Sequence, residues 1–156
     1  MAAIICSVNA LSILSAASKS ILVNMLTSTI KSIYGYTNFI TTTDKSNCDK
    51  ITSEIHKMDL TFTTNILEHV IKENTDDNMC ESLKYAIMGV NDILEIIELE
   101  LYKIKVDINN HKCKYFNYWR SLDCDNSVKI IRRNKLLLDK RHDVLLNILK
   151  LNNKLK

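Results

Sequence analysis

Hydrophobic positions recur every three or four residues along most of this chain, which is the period of an α-helix. Ile4, Val8, Leu11, Leu14, Ile21, Met25 and Ile33 set a first stripe, widened by Ile5, Ala17, Leu22, Leu26 and Ile30. This spacing predicts a first helix from Ala2 to Tyr34, with Gly35 at the position of a C-cap and a Thr/Asn-rich loop over 36–47. Ser46 followed by Asp49 resembles a capping box for a second helix. Ile51, Ile55 and Met58 mark its face. Asp59 is placed to cap a fresh segment carrying Phe62, Ile66, Leu67, Val70 and Ile71. Thr61, Thr63 and Thr64 are poor helix formers, so the second helix is expected to break near residue 59. After a polar stretch at 74–78, with Asp76 or Asp77 as cap, the cleanest stripe runs through Leu83, Ile87, Val90, Leu94, Ile97, Leu101, Ile104 and Ile108. Gly89 lies inside it, where it would admit a close neighbouring helix. Residues 112–126 lose the period. Beyond Asp125 or Asn126, two rows repeat every seven residues: Ile130, Leu137, Val144 and Leu151, and beside them Ile131, Leu138 and Leu145. Adjacent heptad rows describe a bundle or coiled-coil seam.

These elements predict an all-α fold, an antiparallel bundle of about four long helices in a single domain over 1–156. Composition narrows the choice in the same direction. The 156 residues hold no proline and two glycines, too few for the tight turns of a β-sandwich or the glycine cluster of a dinucleotide site. At 46% hydrophobic and 25% charged, the chain has enough apolar residues to fold.

The formal charge of +3 conceals an asymmetry. Residues 1–111 carry 9 Lys/Arg against 14 Asp/Glu; residues 112–156 carry 12 against 4. A basic face at the C-terminal end follows, either binding a partner or pairing with the acidic third helix. The five cysteines are odd in number and irregularly spaced, and the 16 asparagines include no Asn-x-Ser/Thr acceptor. Both point to a reducing, intracellular setting. Residues 2–18 are uncharged but lack a basic start and are interrupted by Ser7, Asn9, Ser12 and Ser15, so they read as a bundle helix rather than a signal or span.

Candidate chemistry is sparse. His111, Cys113, Cys124 and His142 do not have the close ligand pairs of a structural zinc site. Cys113 and His111, two residues apart, do not face each other as a nucleophile and its base. Asp92, Glu95, Glu98 and Glu100 read as a solvated helix face. No metal, no cofactor and no catalytic residue is therefore expected, and the protein reads as non-enzymatic. The aromatic loop is more informative. Tyr115, Phe116, Tyr118 and Trp119 alternate with Lys112, Lys114 and Arg120. Trp, Tyr and Arg dominate interface energetics, so Tyr115, Phe116, Tyr118, Trp119 and Arg120 form a candidate partner-binding site. Lys129, Arg132, Arg133 and Lys140 fall broadly on one flank of the last helix and form a candidate basic face for nucleic-acid backbone.

His111-x-x-Lys114-Tyr115-Phe116-x-x-Trp119-Arg120, followed by a basic Leu/Ile helix, resembles uncharacterised helical proteins of large DNA viruses that infect amoebae. The resemblance covers about residues 50–150 and implies a viral origin but no activity. The abundance of Lys, Ile and Asn fits an AT-rich genome of that kind. Asn117-Tyr118-Trp119-Arg120 also resembles the Asn-Trp-Gly-Arg motif of viral apoptosis-regulator bundles but lacks its glycine. The expected function is a viral interaction protein, binding another protein or itself, in the host cytoplasm or virion. The alternatives are a nucleic-acid-associated bundle using the basic last helix and a membrane-active bundle using residues 2–18.

Overall fold

A computed structural model describes residues 19–43, 49–74, 79–112 and 122–154. The described residues form five helices, α1 (Lys19–Thr42), α2 (Asp49–Lys57), α3 (Leu60–Asn74), α4 (Glu81–Lys112) and α5 (Asp125–Lys154), with a few non-helical residues at their ends. The all-α bundle expected from the periodicity is the observed fold.

The longest helix, α4, is its spine. All eight of its predicted stripe residues, from Leu83 to Ile108, are at most 3% exposed. Burying each such Leu or Ile contributes about 1.5–3 kcal/mol relative to leaving it in water. One flank of the spine meets α1 and the other meets α5, while α2 and α3 close the bundle against α1 and α5. The α1–α4 pair runs parallel, since Thr29 lies against Asn91 and Tyr36 against Tyr102 further along both helices. Asn91, 5% exposed, sits in that seam. The Thr29 hydroxyl lies 3.2 Å from the Met25 carbonyl oxygen and 3.4 Å from Asn91 Oδ1, and Asn91 Nδ2 donates to Glu95 Oε1 at 2.7 Å. A buried amide without such partners would cost about 1–3 kcal/mol.

The break in the second helix falls where expected, with a different cause. Asp59 adopts φ 46, the left-handed region. The amides of Met58 and Asp59 bond to the carbonyls of Ile55 and His56, tightening the last turn of α2. Thr63 and Thr64 do not cause the break. They are helical, and their hydroxyls donate back to the carbonyls of Asp59 and Leu60.

Several expectations are corrected. Gly35 does not end α1, which continues for seven residues to Thr42. Ile40, fully buried, and the half-buried Tyr36 and Phe39 prolong the stripe beyond the glycine. The threonines expected to form a loop bond back to the helix instead, Thr41 to Thr37, Thr42 to Asn38 and Thr43 to Phe39, at 2.8–2.9 Å. On α3 the buried face is Leu60, Thr64, Leu67 and Ile71, whereas Phe62 and Ile66 are exposed. Of the two heptad rows on α5, Ile131, Leu138 and Leu145 are fully buried, but Leu137, Val144 and Leu151 are exposed. Among the paired carboxylates, Glu100 is not solvated; it is 4% exposed and ion-paired with Lys103 one turn on. The expected helix over 2–18, the caps Ser46, Asp76 and Asp77, and the aromatic loop through Arg120 lie outside the described residues.

Gly89 makes room for a side chain rather than a helix backbone. The Arg141 guanidinium on α5 lies across it and donates to its carbonyl, and an added Cβ would meet Nη1 at 3.1 Å. Arg141 is exposed and its tip is flexible, so it can shift by the few tenths of an ångström required. Gly89→Ala therefore gains helix propensity at little packing cost and should stabilise the fold by up to about 1 kcal/mol. Thermal unfolding checks this, and a lowered melting temperature would show that the Arg141 contact is rigid.

Candidate functional site

The outer edge of the α4–α5 pair carries a developed surface feature. On α4, Tyr85, Gly89, Asp92 and Ile96 follow one another at helical spacing down one flank. On α5, Leu137, Arg141, Val144 and Ile148 repeat that spacing in the opposite direction. Between the rows opens a cleft of about 590 Å³, lined by Tyr85, Met88, Asp92, Arg141, Val144 and Ile148 among others. Of its lining, Tyr85 is 53% exposed and Val144 55%, and beyond the cleft along the same rows Ile96 is 43% and Leu137 39% exposed. Single exposed hydrophobics are ordinary, but two facing rows of them mark a surface that excludes water when covered. The periodicity singles out Leu137 and Val144 but assigns them to the interior; their seven-residue spacing is equally consistent with an outward face.

The basic face divides. Lys129, Arg133 and Lys140 share the outward pole of α5, exposed and without an ion pair among the described residues. Arg132 is turned toward α2, where it pairs with Glu54. The acidic partner of α5 here is therefore α2, not the acidic α4 that the charge asymmetry indicated. Lys50 on α2 completes the contact, its Nζ 2.9 Å from Asp125 Oδ1. A small cleft of about 200 Å³ lies among these side chains. Hydrogen bonds from Lys57 and Arg132 hold the Glu54 carboxyl below the usual carboxylate range, the Lys50 bond does the same for Asp125, and Asp125 raises Lys50 in return. The cluster thus ties α2 to the start of α5.

An aromatic–lysine cluster that sequence reasoning missed lies between α1 and α4. Lys105 Nζ is 5.1 Å from the Tyr36 ring centroid and 5.5 Å from that of Phe39; Lys112 Nζ is 5.7 Å from the Phe39 ring. Tyr102 packs on Tyr36 with centroids 5.7 Å apart. These are cation–π distances. The residues are hidden in the sequence because 36–47 reads as a loop; an aromatic at i and i+3 facing a lysine-bearing helix is the signal that could have found them.

Of the candidate zinc ligands, His111 and Cys124 are buried and have partners within the protein. Among the described residues, no three His, Cys, Asp or Glu side chains gather to hold a metal. No described helix is long and apolar enough to cross a membrane. The candidate partner-binding residues Tyr115, Phe116, Tyr118, Trp119 and Arg120 lie outside the described residues.

The chain is similar to an uncharacterised protein of Acanthamoeba polyphaga mimivirus, with 28% identity over 85 residues. The match covers 54% of this chain and 40% of that protein, so the chain spans about two fifths of the length of this curated relative. The match to a protein of an amoeba-infecting virus thus extends over about half the sequence. No family model and no solved structure matches.

The ion-pair cluster generates a pH dependence. Glu54 and Asp125 are easier to ionise folded than unfolded, so their contribution is present above the ordinary carboxylate range and is lost as pH falls through their lowered folded values. Lys50 acts oppositely: its contribution is present at neutral pH and lost as pH rises through its raised value. Both effects are small at exposed sites and shrink in high salt. Acid melts of wild type and Glu54→Gln/Asp125→Asn check this. The double variant should be slightly less stable at pH 7 and should lose less stability on acidification. An acid slope unchanged by the substitutions would contradict the assignment.

Proposed function

We propose that this chain is a non-enzymatic interaction protein that docks another protein chain on the outer α4–α5 face. The supporting observation is the pair of facing rows, with Tyr85 and Val144 in water on the two sides of the 590 Å³ cleft and Ile96 and Leu137 in water further along the same rows. An apolar centre rimmed by Asp92, Arg141 and Lys140 has the layout of a protein interface: a core that loses water, and charges that fix register. The similarity to a mimivirus protein supports a viral setting, in the host cytoplasm or the virion.

A second reading has its own support. Lys129, Arg133 and Lys140, unpaired on one pole among the described residues, would contact phosphates, and the Tyr36–Phe39–Tyr102 cluster with Lys105 and Lys112 would stack bases. Binding of this kind weakens steeply with added salt, whereas docking on an apolar face does not.

Leu137→Glu/Val144→Glu separates docking from folding. Both side chains are already exposed, so the melting temperature should change little, within about 0.5 kcal/mol of stability. Comparative capture from cells expressing the wild-type or variant chain should then show proteins retained by the first and lost by the second. Identical retention by both chains would sink the reading of this face as the docking site.

A further inference from the structure

We propose that the outward pole of α5 is a peripheral binding surface for a bilayer carrying anionic phospholipid. This surface is distinct from the α4–α5 docking face, and on it the cations of the nucleic-acid reading meet lipid phosphates instead.

Lys129, Arg133, Leu136, Lys140, Val144, Asn147 and Leu151 follow one another at steps of three or four residues, so they form a single stripe about 33 Å long. The stripe lies opposite the buried row Ile131, Leu138 and Leu145. All seven of its residues are exposed, and Leu136, Val144 and Leu151 are 62%, 55% and 62% exposed. Val144 is the one residue it shares with the rows beside the cleft. Its three cations have no ion pair among the described residues, and it holds no acid. The acids of α5 are placed elsewhere. Asp125 pairs with Lys50 and Asp139 with Lys135, while Asp143 is turned about 60° away from Lys140. One helix face thus joins uncompensated positive charge to aliphatic side chains in water, the composition of a helix that lies in the plane of a membrane surface.

The aliphatic side chains among the cations decide between acidic acceptors. A nucleic-acid backbone would meet Lys129, Arg133 and Lys140 but would leave Leu136, Val144 and Leu151 against phosphate and water. Helix α5 also carries no Phe, Tyr or Trp on which a base could stack. A bilayer surface takes both kinds of side chain: the cations meet headgroup phosphates, and the aliphatic tips enter the boundary with the acyl chains. A protein groove that wraps a basic amphipathic helix would need the opposite face of α5 as well, and there Ile131, Leu138 and Leu145 are committed to the core. A flat acceptor needs only the stripe. Helix α5 stands at an edge of the bundle, with α4 on one side and α2 and α3 on the other, so a plane can touch the stripe along its length.

Co-sedimentation of the full chain with vesicles tests this surface. The wild-type protein should bind vesicles of phosphatidylcholine containing roughly one third phosphatidylserine, and should bind phosphatidylcholine alone about tenfold more weakly or less. Added salt should weaken the binding. Removing one cation, as in Arg133→Gln, should weaken it about fivefold, and Lys129→Gln/Arg133→Gln/Lys140→Gln should abolish it. Leu136→Ser/Leu151→Ser should weaken it several-fold with every cation in place. All these side chains are exposed, so circular dichroism and melting temperature should not change. A fluorescent single-stranded oligonucleotide is the competing probe. If the three cations capture it, Leu136→Ser/Leu151→Ser leaves that capture unchanged and no vesicle binds, the pole is a nucleic-acid face and the lipid assignment fails. Absence of vesicle binding, equal binding to phosphatidylcholine alone, or vesicle binding indifferent to the triple or the double variant would also overturn it. Leu137 and Val144 are unaltered in all these variants, so the outcome is separate from that for the α4–α5 docking face.

Discussion

Burial of one apolar stripe along α4 is the constraint on which the rest of the molecule depends. From Leu83 to Ile108 that stripe is closed to water, and closing it takes neighbours on both flanks. Helix α1 supplies one and α5 the other, so the three longest helices form a row with α4 in the middle. Two polar groups of α4 caught in the closure are partnered there: Asn91 with Glu95 beside Thr29, and Glu100 with Lys103. An isolated helix of the length of α2 would be marginal in water. It holds because Ile51 and Ile55 reach this core and because Lys50 and Glu54 are tied to α5.

A helix at the edge of such a row has one side committed and one side free. In α5, Ile131, Leu138 and Leu145 point inward. Residues one position earlier are turned by about 100° and come out on the flank. Leu137 and Val144 therefore run down the outside of the α4–α5 seam, beside the α4 row that carries Tyr85 and Ile96. The cleft is a direct consequence of where α5 sits on α4. Gly89 adjusts it locally: without a β-carbon there, Arg141 can lie across α4 and bring a cation into an otherwise apolar groove. The same edge position leaves Lys129, Arg133 and Lys140 on the outward pole.

The parts legible in the sequence are those decided by local chemistry. The α4 stripe can be read residue by residue, because eight apolar positions at an unbroken spacing allow only one buried face. The break at residue 59 is legible for a partly wrong reason. Asp59 supplies the turn, and the threonines behind it are satisfied by their own helix. What cannot be read depends on neighbours. Gly35 ends a helix only when nothing beyond it packs, and Tyr36, Phe39 and Ile40 do pack. Phe62 is more hydrophobic than Thr64, yet Thr64 is buried because the register set by Leu60, Leu67 and Ile71 points it inward and its hydroxyl bonds to Leu60. Which α5 heptad row faces water depends on the direction from which α4 approaches. Arg132 and Lys129 look alike in sequence and differ in that Glu54 is within reach of Arg132. Of the candidate site, Lys129, Arg133 and Lys140 are legible as a group. The rows beside the cleft are legible as apolar, while their outward direction is set by the packing of α5 on α4.

The spine can be tested directly by native-state hydrogen exchange resolved to single amides. If α4 organises the fold, its amides from Ile87 to Ile104 should exchange last and only through global unfolding, at the free energy measured by denaturant. The amides of α2 should open sooner. Exchange in the middle of α4 as fast as in α2, or at a free energy well below that of global unfolding, would contradict the account and with it the placement of α5 that creates the outer face.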